Sequence, residues 1–130
     1  MRPSALLITF GILFPQIAFA QKSDPWFPWI AEKAQLVRTK DAGIKEANDS
    51  RATLCLQLSD NAKKEDCVSR LDAIIARRTK ERDLLLDMIM AATPPDKDRY
   101  TQIPPMNATY NKMDAETTEM AQTFHALYNH

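Results

Sequence analysis

The sequence predicts an all-α protein, a small helical bundle made of a disulfide-stapled helical hairpin and a third, C-terminal helix. Apolar residues recur at helical spacing in three segments. Only 2 of the 130 residues are glycine, and the alternating apolar runs between turn residues that are typical of strands do not occur. The chain contains two cysteines, Cys55 and Cys67, placed so that a bridge between them requires a hairpin.

The first 20 residues have the order of a cleavable signal peptide. Arg2 supplies a positive charge, residues 6–14 form an apolar run that only Thr9 interrupts, and Ala18-Phe19-Ala20 matches a cleavage site. The run is shorter than the roughly 18–20 residues of a membrane span. We expect cleavage near Ala20/Gln21, localisation in the periplasm or outside the cell, and no membrane span in the mature chain. The alternative is an ordinary amphipathic first helix.

Without Arg2 the chain carries 16 basic and 17 acidic side chains. This balance argues against nucleic-acid binding, which depends on the release of counterions by excess positive charge. The length fits a single helical domain, residues 30–130, preceded by an aromatic and proline-rich segment, residues 21–29.

Cys55 and Cys67 are expected to form one disulfide, because an even number of cysteines in an exported chain indicates pairing. Twelve residues of straight helix would separate them by about 18 Å. A disulfide needs Cα atoms within roughly 7 Å. The chain is therefore predicted to reverse direction between Leu58 and Asn61.

The first helical segment, residues 28–58, is expected to break into two pieces or to bend, because Gly43 and residues 48–50 weaken a helix. The middle segment, residues 61–92, ends at Pro94-Pro95. Its predicted apolar row is Leu71, Ile75, Arg78, Arg82, Leu85, Ile89 and Ala92.

A linker, residues 93–105, contains two Pro-Pro pairs and is expected to be extended. In the last segment, Asn107 is the predicted N-cap. The direction of this helix relative to the middle one stays open. Its predicted seam is Met106, Tyr110, Met113, Thr117, Met120, Phe124 and Leu127.

Arg78 and Arg82 occupy positions where the row calls for core residues. They form a solvated helix face, a polar layer inside the bundle with Thr117 and Asp114 as partners, or a basic patch for an acidic partner. The aromatic residues Trp26, Phe27 and Trp29 have three interpretations: a lid on the bundle, an extended docking peptide, or contact with a membrane interface, for which the flanks lack a basic cluster.

The sequence contains no catalytic motif, and we expect no catalytic residue, metal or cofactor. The layout resembles small exported helical components of bacterial secretion or conjugation machinery. The expected function is non-catalytic binding of another envelope protein, as a subunit of such an assembly or as an inhibitor or immunity-type binder, or self-association through helical faces. The alternatives are a periplasmic stress chaperone and a small enzyme of unknown reaction.

Overall fold

The computed structural model describes residues 27–93 and 100–129. Within them the chain forms three long helices and no strand, so the all-α prediction is confirmed. Helix α1 spans Phe27–Thr53, α2 spans Asn61–Ala92 and α3 spans Ile103–Tyr128. A short 3-10 turn, Cys55–Gln57, lies between α1 and α2.

The three helices form an up-down-up bundle. At one end Val37 of α1 packs in the same cluster as Leu85 of α2 and Tyr110 of α3. At the other end Ala47 and Phe124 share a cluster with residues near the start of α2. Helix α2 is therefore antiparallel to both α1 and α3. This answers the question of the direction of α3, which the sequence left open.

The Cys55–Cys67 disulfide is present and both cysteines are fully buried. It joins the 3-10 turn to the second turn of α2, with 5.4 Å between the Cα atoms. Asp60 caps α2, because its carboxylate accepts hydrogen bonds from the backbone N–H groups of Ala62 and Lys63. The predicted reversal is confirmed, but it begins earlier than Leu58, because α1 already ends at Thr53 and the 3-10 turn follows it.

Helix α1 is one continuous helix, so the predicted break into two pieces near Gly43 and residues 48–50 is wrong. Asn48 donates to the carbonyl of Ile44 within the helix, and Lys45 pairs with Asp49 one turn later at 3.0 Å. Packing of α1 along α2 outweighs the weak helix propensity of these residues.

Helix α3 begins at Ile103, three residues before the predicted segment. Pro104 and Pro105 lie in its first turn, where a missing N–H group breaks no helical hydrogen bond. The prediction of an extended linker is therefore wrong for its last three residues, and Asn107 lies inside the helix instead of capping it. Residues 94–99 of the linker lie outside the described residues.

Candidate functional sites

A layer of polar side chains divides the interior of the bundle into two apolar clusters. The proximal cluster surrounds the start of α1, and the distal cluster surrounds the disulfide. The proximal cluster contains Ile30, Ala34, Val37, Leu85, Met88, Ile89, Ala91, Ala92, Ile103 and Tyr110. The distal cluster contains Ala47, Cys55, Cys67, Leu71, Ile74 and Phe124.

Glu81 lies at the centre of this layer with no exposed surface. It belongs to a row on α2 with alternating steps of four and three residues, in which all members but the half-buried Arg78 are buried. The predicted row contains Ile75 and Arg82, whereas the buried positions are their neighbours Ile74 and Glu81. The observed row is Cys67, Leu71, Ile74, Arg78, Glu81, Leu85, Met88 and Ala92.

Lys40 of α1 connects the layer across all three helices. Its Nζ lies 2.8 Å from Oε1 of Glu81, also donates to Asp114 of α3, and sits 5.5 Å from the ring centre of Tyr110. Burial by itself lowers the pKa of Lys40, but the hydrogen bonds to Asp114 and Glu81 outweigh it and raise the pKa above its ordinary value. Lys40 is therefore held as a cation.

Thr117 of α3 closes the layer on the opposite side. Its hydroxyl donates to Oε2 of Glu81 and accepts a hydrogen bond from Nε of Arg77 at 3.1 Å. Arg77 also pairs with Glu116 at the surface. The carboxylate of Glu81 thus contacts a cation from α1 on one oxygen and a hydroxyl from α3 on the other, which is the arrangement that makes a buried charge tolerable.

The structure places Arg78 and Arg82 beside the layer, on the side where α1 and α2 meet. Arg78 donates from Nη1 to the carbonyl of Gly43 at 2.8 Å. Arg82 donates from Nη1 to Asp41 at 3.1 Å. Both arginines are half-buried, and Asp114 binds Lys40 instead of an arginine. Their role in binding a partner stays a prediction.

Phe27 and Trp29 lie in the first turn of α1 and pack, partly buried, against the proximal cluster. The ring of Trp29 lies 5.4 Å from Nζ of the buried Lys33. The extended conformation of the docking-peptide interpretation does not occur from Phe27 onward, because Pro28 fits the first turn of a helix. Trp26 lies outside the described residues, and the docking role of the three aromatic residues stays a prediction.

A shallow groove lies at the disulfide end of the bundle, and Leu56 of the 3-10 turn forms one of its walls. Leu56 is 49% exposed, and Leu127 at the end of α3 is 47% exposed. Tyr128 donates to Asp66 and thereby fixes the end of α3 at the start of α2. The groove has a volume of about 410 Å³ and is lined by Leu56, Lys64, Glu65, Val68, Ser69 and Asp72.

Across 27–93 and 100–129, no three His, Cys, Asp or Glu side chains come together in a group that could bind a metal ion. None of the three helices combines the length and the apolar character that crossing a membrane requires.

Comparison of the chain with protein-family models, with curated proteins and with solved structures finds no match. A functional assignment therefore rests on the residues of this chain and their geometry.

Proposed function

We propose that the mature chain is an exported, non-catalytic helical protein that binds another envelope protein through its disulfide end. The observation that carries the proposal is the exposure of Leu56 on a turn held by the Cys55–Cys67 bridge. Leu56 shares its groove with the apolar Val68, and contiguous exposed apolar surface is typical of binding sites. A surface that is rigid before binding loses less conformational entropy when the complex forms.

The chemistry of the groove favours a protein partner. Leu56 and Val68 form an apolar centre, and Lys64, Glu65 and Asp72 place both signs of charge on the rim. Apolar centres with polar rims are typical of protein–protein interfaces. A lipid headgroup surface or a nucleic acid would call for a basic rim. The proposed occupant is an apolar side chain that another exported protein presents from a helix or turn.

Export itself is the second part of the proposal. The buried disulfide supports it, because such bonds persist in oxidising compartments such as the periplasm. The signal peptide, residues 1–20, lies outside the described residues. Fractionation of cells that express the full chain tests this part. We expect a periplasmic product with an N-terminus at Gln21, and a cytosolic product that retains Met1 would contradict it.

The binding surface is tested by crosslinking the mature protein to envelope proteins of its native cell. We expect wild-type protein to give one crosslinked product of defined mass. The double variant Leu56→Ser/Leu127→Ser should lose it. Met90→Ser is the matched control, because Met90 is also an exposed apolar residue but lies at the opposite end. Retention of the product by the double variant, at unchanged yield, would contradict the proposed surface.

A further inference from the structure

We infer that the contact between Glu81 and Thr117, together with the Lys40–Asp114 pair, sets the register of α3 against the α1–α2 hairpin. The layer is a built-in device that favours this packing over packings in which α3 is shifted by one heptad. This inference does not depend on the proposed function, because it concerns only the interior of the bundle.

The apolar pattern of α3 does not define a register by itself. Its four buried residues are Ile103, Tyr110, Thr117 and Phe124, spaced seven residues apart. Helix α2 carries the matching repeat of four and three residues. Two such repeats also fit after α3 slides by one heptad, about 10.5 Å at 1.5 Å per residue. Apolar burial has no direction, so it distinguishes these packings only by the layers in which Phe124 and Thr117 exchange places.

The polar layer removes this ambiguity. A slide in one direction would place Ala121 and Phe124 at the positions of Asp114 and Thr117. Glu81 would then face a phenyl ring that donates no hydrogen bond. Lys40 would also lose one of its two carboxylates, which leaves a buried ion pair with unmet hydrogen bonds.

A slide in the other direction would place Asn107 and Tyr110 at those positions. The phenol of Tyr110 would bring a hydrogen-bond donor toward Glu81, but Lys40 would face an amide instead of the Asp114 carboxylate. Thr117 would move into the distal cluster, where its hydroxyl would meet the apolar side chains around Ile74. The observed register alone gives Glu81 a hydroxyl donor and Lys40 two carboxylates. Single polar positions set the register of coiled coils in the same way.

The experiment replaces the polar layer with apolar residues. The variant Lys40→Met/Glu81→Leu/Thr117→Val removes both contacts that hold the register. It leaves no isolated buried charge in either packing, because the Asp114 side chain is 42% exposed. In ¹H–¹⁵N NMR spectra we expect a second set of α3 resonances at ~1–10% or more of the first. The second packing should give contacts between the Phe124 ring and the leucine methyl groups introduced at position 81. The wild-type protein should show Phe124 contacts only to the distal cluster, including Ile74.

A milder variant covers the case in which the triple variant does not fold. Thr117→Val removes one hydroxyl and keeps the Lys40–Glu81 pair, and it should show the same second set of resonances at lower population. Met88→Leu, an apolar exchange in the proximal cluster, is the control and should show one set. A single set of resonances with unchanged Phe124 contacts in both Thr117 variants would overturn the inference.

Discussion

Lys40 and Glu81 form an ion pair in the middle of the bundle, with Nζ 2.8 Å from Oε1, where Glu81 has no exposed surface and the Lys40 side chain is 13% exposed. Exposed ion pairs contribute little to stability, but breaking a buried one leaves a charge that neither water nor protein solvates. The pair therefore determines how the protein responds to pH and to substitution at these positions.

Alkaline pH is expected to destabilise the fold. The pKa of Lys40 is raised, because hydrogen bonds to Asp114 and Glu81 outweigh its burial, and burial raises the pKa of Tyr110. Groups whose pKa is higher in the folded state contribute stability below their unfolded pKa and lose it as the pH rises through the folded value. The free energy of unfolding should therefore fall above about pH 10.

Urea unfolding from about pH 8 to about pH 11 measures this loss. Tyr110→Phe should weaken the dependence, because one of the two buried groups no longer titrates. Tyr128→Phe is the control: the hydrogen bond to Asp66 raises the pKa of Tyr128 too, but at the surface, where solvent screens the contribution. A stability that does not change across this range would contradict the description of the layer.

The disulfide should provide a large share of the stability. Cys55 and Cys67 close a loop across 12 positions, for which the chain-entropy description gives about 3 kcal/mol. We expect Cys55→Ala/Cys67→Ala to lower the free energy of unfolding in guanidinium by ~2–4 kcal/mol, with the helical circular dichroism spectrum retained. A loss below about 0.5 kcal/mol would show that the bridge does not hold the hairpin together.

Gly43→Ala should stabilise the protein slightly. Gly43 is inside α1, and an added Cβ would meet the Arg78 side chain at 3.4 Å, which is ordinary contact distance. Alanine favours a helix over glycine by up to about 1 kcal/mol. Thermal unfolding should therefore shift upward. A downward shift would mean that the hydrogen bond from Arg78 to the Gly43 carbonyl needs the space that glycine leaves.

The hairpin was predictable because a disulfide imposes a distance. Twelve residues of helix cannot bring Cys55 and Cys67 together, so the spacing alone requires a reversal. The start of α3 was missed because Pro104 and Pro105 are typical of loops, although the first turn of a helix also accepts them. The continuity of α1 through Gly43 depends on packing against α2, which a local propensity does not contain.

A polar layer with Thr117 and Asp114 as partners was one of three interpretations of Arg78 and Arg82. The structure contains such a layer with these two partners, but Lys40 and Glu81 lie at its centre and the two arginines lie beside it. Lys40 could have been found from the apolar face of α1, because this face has no apolar residue between Val37 and Ile44 and Lys40 lies in that interval. Glu81 could have been found by counting alternating steps of four and three residues along α2 from Cys67. The pairing of the two residues depends on the relative height of α1 and α2, which periodicity within one helix does not define.

The most direct test of the Lys40–Glu81 pair is the free energy of unfolding of Lys40→Met with and without Glu81→Leu. Lys40→Met alone leaves the buried Glu81 carboxylate without its cation and should lower the free energy of unfolding by about 3–5 kcal/mol. Adding Glu81→Leu removes that carboxylate and should restore most of the loss, whereas adding Asp87→Leu, an exposed control, should not. Further destabilisation on adding Glu81→Leu would contradict the central claim that these two side chains form a paired, buried layer.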